Sequence, residues 1–380
     1  MSIERRLTGL AYACLLILGI QGGWLGPFLP EISRVLKVSI EGAGLLVSLT
    51  AVGYFIALLT VGALSHRWKA QHFLIGAMIL YTAGFCGLAF APALPLMLCA
   101  TVVVGLGNGA IDVAANAVIV DLNRERLAQA LNYLHVLFGV GAFLGPIISG
   151  AALAHAIGYW WVFGLGAVVC AMVAVALAAT PPVQVRVPVE AGGGIMPLLR
   201  HPIIWIPAGV LFLYVGGEAG IGAWLFLYLR VAASLGPGVA SMGVSIYWLG
   251  LIAGRITGGR LADRIAPREM TICAGMISAA ALFGLIAAPM SYGFAAGCIF
   301  LIGFGYGPVF PNMVAIGAVR FPSQVGRMSS IIMSGGALGG VFVPWLMGHA
   351  IAIWTPRASM EVALAATALM ALLSMAIRAK

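Results

Sequence analysis

The chain has 380 residues and a formal net charge of +9; 62% of its residues are apolar, 8% are charged and its mean hydropathy is +1.08. Soluble globular domains carry about 25% charged residues, so the composition excludes a soluble globule and leaves an integral membrane protein whose first partner is the lipid bilayer.

Apolar runs of about 20 residues, each long enough to cross about 30 Å of hydrocarbon, predict twelve transmembrane helices. They lie at 7–29, 42–64, 71–92, 95–120, 129–154, 158–180, 203–229, 237–261, 269–289, 292–318, 328–353 and 357–378. Arg5 and Arg6 before the first run imitate a signal peptide. The run is too long and no small-residue cleavage site follows, so the first helix is expected to remain attached. It carries Gln21 and Trp24, three residues apart. The second run ends in the loop GALSHR (62–67), which holds His66 and Arg67.

The fourth run contains GLGNGAIDVAANAVIVDL (105–122), in which Asn108, Asp112 and Asn116 recur every fourth residue and share one helix face. A charge among hydrocarbon costs several kcal/mol unless it is paired or wetted, so Asp112 reads as a transport site first and as a structural acid bonded to a neighbouring helix second. The fifth run carries Asn132 and, about one turn later, His135, which reads either as a proton relay, as a polar substrate ligand or as a packing residue. The segment 181–200, PPVQVRVPVEAGGGIMPLLR, has the prolines and glycines of a cytoplasmic linker. It separates a first half, 1–180, from a second, 201–380.

In the seventh run Glu218 falls near mid-depth, with Tyr214 one turn earlier on the same face. A carboxylate in a desolvated cavity can exchange protons near neutral pH. Each half would then supply one carboxylate to a central cavity, with Asp112, Glu218 and His135 as candidates for proton coupling. Arg255 in the eighth run is expected to stabilise the cytoplasmic end. The following loop reads GRLADR (259–264) and then Arg268. Pro308 and Pro311, beside Asn312, should loosen the tenth helix. Tyr159, Trp160, Trp161 and Trp354 are expected at the membrane interfaces. The cysteines (14, 86, 99, 170, 273 and 298) lack metal-ligand spacing and read as small buried side chains.

The sequence is built twice. GALSHR at 62–67 returns as GRLADR at 259–264, an offset of 197; Gly105, Gly107 and Gly109 return as Gly303, Gly305 and Gly307, an offset of 198; Gly141, Pro146 and Gly150 return as Gly339, Pro344 and Gly348. Parallel six-helix repeats with a binding site near mid-membrane describe one class of secondary transporter. With both termini cytoplasmic, fifteen Lys and Arg residues fall inside and four outside. That is the positive-inside bias, so the net charge reflects topology and calls for no nucleic-acid partner. A bacterial-type inner membrane is expected.

GRLADR with Arg268 resembles the loop motif of the major facilitator superfamily, over a chain that matches it throughout. The resemblance implies that Asp263, with Arg264 and Arg268, latches the cytoplasmic side, and that the first-half copy, with His66 in the acid's place beside Arg67, latches it less strongly. GLGNGAIDVAANAVIVDL, RLAQALNYLHVLFGVGAFLGP (126–146) and YVGGEAGIGAWLFLYL (214–229) look most like the fucose permease type of sugar and proton symporter. This implies that Asp112 handles substrate or protons and that Asn132 is a sugar ligand. Helix 1 departs from that pattern, with Gly26 where the permease carries an acid.

In the superfamily the helices bearing Trp224, Trp248, Tyr306 and Asn312 border the cavity, and indoles beside Asn, Gln and Asp suit the apolar faces and hydroxyl rims of sugars. No P-loop and no nucleophile–base constellation is present, so an enzyme or an ATP-driven pump is not expected. The function read from the sequence is uptake of a sugar-like solute by alternating access, as a monomer without cofactor, driven by protons, with sodium left open. The rival is proton-antiport efflux, supported by GAFLGPIISG (141–150), which resembles an antiporter motif and also suits close helix packing.

Overall fold

The protein is described here from a computed structural model covering residues 2–64, 68–123, 127–185, 201–287, 291–320 and 325–377. It is all helical, with no strand among the described residues, and falls into two compact units, Met1–Val189 and Glu190–Lys380. The first unit holds α1 (Ile3–Leu36), α2 (Ile40–Leu64), α3 (Ala70–Phe90), α4 (Leu94–Leu122), α5 (Leu127–Ala154) and α6 (Tyr159–Ala178). The second holds α7 (Pro202–Ala232), α8 (Pro237–Leu261), α9 (Pro267–Ala287), α10 (Tyr292–Tyr306), α11 (Val309–Arg320), α12 (Val325–Ile353) and α13 (Pro356–Met375).

Local chemistry sets the helix ends. The Ser2 hydroxyl accepts the Arg5 backbone N–H at 3.3 Å and caps α1, and Lys37 closes it in the left-handed region at φ 54°. Pro202, Pro237, Pro267 and Pro356 open their helices, where the missing N–H costs nothing. The tenth predicted span is two helices, because Gly307 and Pro308 form a turn between α10 and α11. Taken together these two make one of twelve stretches long and apolar enough to cross a membrane.

Each unit packs by the same scheme. α1 lies against α5, α2 against α4, and α3 against both α4 and α6; correspondingly α7 lies against α12, α8 against α10, and α9 against α10 and α13. Glycines make the tightest crossings. A Cβ added at Gly105 of α4 would run into the Thr50 carbonyl of α2, and one added at Gly303 of α10 into the Tyr247 carbonyl of α8. Gly109 meets the Tyr54 carbonyl as Gly307 meets that of Leu251, and Gly53 meets the Val102 carbonyl as Gly250 meets that of Phe300. Every one of these partner pairs is 197 or 198 residues apart, so the sequence repeat is a repeat of backbone contacts. Such small-residue contacts let helices approach where lipid supplies no hydrophobic drive between them.

The outward faces are apolar. Along α6, Trp161, Leu165, Val168, Met172 and Val175 are all more than half exposed at a spacing of three and four residues, a stripe that only a hydrocarbon solvent tolerates at this length. Two expectations are corrected here. Cys86, Cys99 and Cys273 are exposed, and only Cys14, Cys170 and Cys298 are buried. Tyr159 is not an interface anchor: it is buried, with its ring 5.3 Å from that of Trp160 and 6.0 Å from that of Phe163, whereas Trp161 and Trp354 are about as exposed as an anchor requires, at 70% and 69%.

Candidate functional site

The polar face of α4 is turned towards helices of its own unit. Asn108, Asp112 and Asn116 are each half-buried. The Tyr54 hydroxyl of α2 donates to Asp112 Oδ2 at 2.8 Å. Asn116, one turn on, donates through Nδ2 both to Asp112 Oδ1 at 3.2 Å and to the Asp112 carbonyl at 2.8 Å. One turn back, Asn108 donates to Gln21 Oε1 of α1 at 3.2 Å and accepts from the Tyr81 hydroxyl of α3. The predicted stripe therefore gathers α1, α2 and α3 around α4. Its carboxylate holds two side-chain donors, each such bond to a charged acceptor contributing about 1.5–3 kcal/mol.

The second unit builds a different cluster. Glu218 of α7 lies 3.6 Å from the guanidinium Nη2 of Arg255 on α8, and the same nitrogen is 3.5 Å from the Tyr214 hydroxyl. Tyr214 and Tyr247 are fully buried, and the Tyr306 ring lies 5.4 Å from that of Tyr214 and 6.4 Å from that of Tyr247. The Tyr306 hydroxyl is bonded to Thr367 Oγ1 of α13 at 2.7 Å. Trp248 is buried beside Tyr247, ring centroids 5.5 Å apart. Arg255 thus serves the acid at mid-helix rather than the cytoplasmic end expected for it.

Several expected pocket residues are corrected to packing roles. Trp224 is fully buried, its indole N–H donated to the Pro344 carbonyl at 3.0 Å, so no polar atom remains for a solute. Trp24 is wedged edge-on between Phe85 and Phe163, centroids 5.1 and 5.4 Å away. Asn312 is buried and donates to Thr271 at 3.2 Å, tying α11 to α9. His135 is exposed on α5, and Asn132 lies on the same helix with its side chain outside the described residues.

The expected latch is likewise different. His66 and Arg67 lie outside the described residues. Asp263 and Arg264 are exposed in the turn after α8, and among the described residues the Asp263 carboxylate makes no hydrogen bond or ion pair. Arg268 caps the end of α13 through the Met375 carbonyl at 2.8 Å and pairs with Glu269 at 3.3 Å. It ties two helices of one unit together.

Tyr54, Tyr81, Tyr247 and Arg255 complete these clusters and were not singled out as site residues from the sequence. The available signal was positional: a phenol or guanidinium in the interior of an otherwise apolar helix is rarely placed there without a partner. A further signal lies in the repeat. With the 197-residue offset that aligns Gly19 with Gly216 and Gly23 with Gly220, Gln21 falls on Glu218 and Leu58 on Arg255.

Comparison with known proteins agrees with this architecture. The chain is 27% identical over 368 residues to the enterobactin exporter EntS of Escherichia coli, covering 89% of this chain and 83% of that one. It is 24% identical over 391 residues to bypass of stop codon protein 6 of Saccharomyces cerevisiae, covering 88% and 76%. Among solved structures, a point mutant of the nucleoside transporter NupG superposes with a TM-score of 0.83 at 12% identity over 100% of both chains. A D-xylose-proton symporter superposes at 0.82 and 14% identity, over 100% of this chain and 98% of that one. The Major Facilitator Superfamily profile matches residues 11–344 and 231–379. This multi-pass membrane protein belongs to the Major Facilitator Superfamily of transporters.

Proposed function

We propose that the protein takes up a small polar, sugar-like solute by alternating access, driven by the proton gradient, with Asp112 as the coupling carboxylate. The observation that carries this reading is Asp112 itself, a carboxylate in the interior of α4 held by Tyr54 and Asn116. A frame built from glycine contacts has no need of a charge there, and the corresponding position of the second half is Phe310. Gln21 and Asn108 supply the paired donor and acceptor groups that hydroxylated solutes need. The likeness of fold to a D-xylose-proton symporter and a nucleoside transporter is in keeping with such a solute. The protein acts in this reading as a monomer in a cytoplasmic membrane, termini inside, without a bound cofactor.

Export is the second reading, favoured by the relation to an enterobactin exporter. Proteoliposomes loaded with a pH-sensitive dye test the first. Adding solutes from a panel of sugars, organic acids, amines and drugs under an inward proton gradient should accelerate proton entry for at least one of them, with accumulation of that solute. Extrusion of a solute against its gradient in exchange for protons would transfer the assignment to export, and no solute-dependent proton flux with any class would refute coupling altogether.

A further inference from the structure

Arg255 is held loosely for a guanidinium packed between helices. A guanidinium presents five N–H donors in a planar fork that fits a carboxylate through two parallel bonds. Here the fork spends one nitrogen, Nη2, on two long contacts, 3.6 Å to Glu218 and 3.5 Å to the Tyr214 hydroxyl. Its Nε is buried and makes no hydrogen bond. The Tyr247 hydroxyl, on a residue with 0% exposure, is also without a hydrogen-bond partner, and Glu218, Tyr214 and Arg255 are among the groups acting on it. Buried polar groups are nearly always bonded, and an exception calls for an explanation. Two exceptions in one cluster, around a guanidinium whose side chain is 30% exposed and so reachable, have a common one: a ligand that is anionic and carries hydroxyl groups.

We propose that Arg255 is the binding site for the carboxylate of a small hydroxylated organic acid, of the sugar-acid class, and that Glu218 occupies this site in the resting protein as an internal stand-in for that carboxylate. This rests on the transport reading above and names its substrate class. The cycle balances in charge and protons. Glu218 takes one proton from the aqueous side and becomes a neutral acid; it releases Arg255, which pairs with the incoming carboxylate. On the other side the solute leaves, Glu218 gives up its proton and returns to Arg255. One anion and the Glu218 proton cross together, and the Asp112 proton of the transport reading crosses with them.

The groups acting on Glu218 are Arg255 of α8 and, on its own helix, Tyr214, while Glu218 in turn acts on Tyr247 of α8 and Tyr306 of α10. On α13, Arg357 and Glu361 pair with each other at 3.0 Å, and on α12 His349 stacks on Trp345 at 5.7 Å. Acidification therefore acts on the cluster through Glu218. The tyrosines remain neutral phenols throughout the physiological range.

Thermal unfolding of the purified full-length protein tests the proposal at matched ionic strength. The probes are the sodium salts of gluconate, glycerate and lactate, compared with glucose, glycerol and glucosamine hydrochloride. At least one carboxylate should raise Tm beyond a sodium chloride control, and the shift should grow as pH falls from mildly alkaline to mildly acidic. Arg255→Gln should abolish the shift. Arg255→Lys, which keeps the charge and loses the fork, should retain a smaller shift that needs more of the carboxylate. Glu218→Gln should keep the shift and remove its pH dependence.

Stabilisation by none of the carboxylates, stabilisation only by the neutral or cationic sugars, or a carboxylate shift unchanged in Arg255→Gln would overturn the proposal. If the Arg255 variants do not fold, the Glu218→Gln comparison decides, since a pH dependence that survives there removes the stand-in. The two readings fail separately. Proton flux driven by glucose leaves transport standing and removes the anion site, whereas carboxylate binding through Arg255 without any proton flux leaves the site and removes coupling.

Discussion

Gly105 of α4 rests against the Thr50 carbonyl of α2, and 198 residues later Gly303 of α10 rests against the Tyr247 carbonyl of α8, yet three residues beyond each glycine the halves part company. Asn108 of the first half is Tyr306 in the second, and Asp112 is Phe310. Glu218 of the second half is Gln21 in the first, and Arg255 is Leu58. The backbone contacts persist in both halves while the ionisable groups do not, which separates what the fold requires from what is carried on it. A glycine at a helix crossing answers to geometry alone. An acid that the duplicated frame manages without in its other copy answers to something else.

That separation can be broken first at the frame. Gly105→Leu and Gly303→Leu should each prevent folding, because the new side chain starts inside a neighbouring carbonyl; overpacking of this kind costs about 3 kcal/mol or more. Fluorescence-detected size exclusion of detergent extracts should show loss of the folded peak for both. A normal peak for one of them would mean the halves do not share the frame.

The chemistry gives a smaller effect. Arg255→Leu, which gives the second half the first half's Leu58, leaves Glu218 without its cation. A fully buried pair would lose about 3–5 kcal/mol; with side-chain exposures of 30% and 15%, solvent screening reduces the expectation to about 1–2 kcal/mol. Adding Glu218→Gln, which supplies the counterpart of Gln21, should restore most of the lost thermal stability. A double variant less stable than Arg255→Leu alone would show that Glu218 has other obligatory partners.

The smallest expected change is Tyr54→Phe, which removes one donor from Asp112 and nothing from the frame. Thermal unfolding should register a loss of about 1 kcal/mol, with the folded peak intact. No change at all would mean that water replaces the phenol at no cost.

Much of the frame was legible. The apolar runs gave the number of membrane-crossing stretches, the glycine clusters gave the repeat, and Pro308 with Pro311 marked the break between α10 and α11. Hydropathy understated α1, predicted over 7–29 and found over Ile3–Leu36, because the helix continues past its hydrocarbon segment through Glu4 and Arg34, where backbone bonding persists and the apolar signal does not. Asp112 and Glu218 were legible because a charge in an apolar helix is costly. Their partners were not, since Tyr54 and Arg255 are brought to them by crossings between helices that no single-helix periodicity encodes. Trp224 misled for the same reason: an indole in an apolar helix reads alike whether it lines a cavity or, as here, fills the space beside Gly348.

The central claim is that Asp112 couples solute movement to protons, and one variant tests it most directly. Asp112→Asn keeps the shape and hydrogen-bonding capacity of the side chain and deletes its charge. In proteoliposomes, with a solute that drives proton entry in the unaltered protein, it should bind and exchange that solute across the membrane but concentrate it far less under a proton gradient, because only the Glu218 proton then crosses with it. Undiminished accumulation against the gradient by Asp112→Asn, with unchanged pH dependence, would contradict the account and leave coupling to Glu218, or pass the Asp112 share of it to His135.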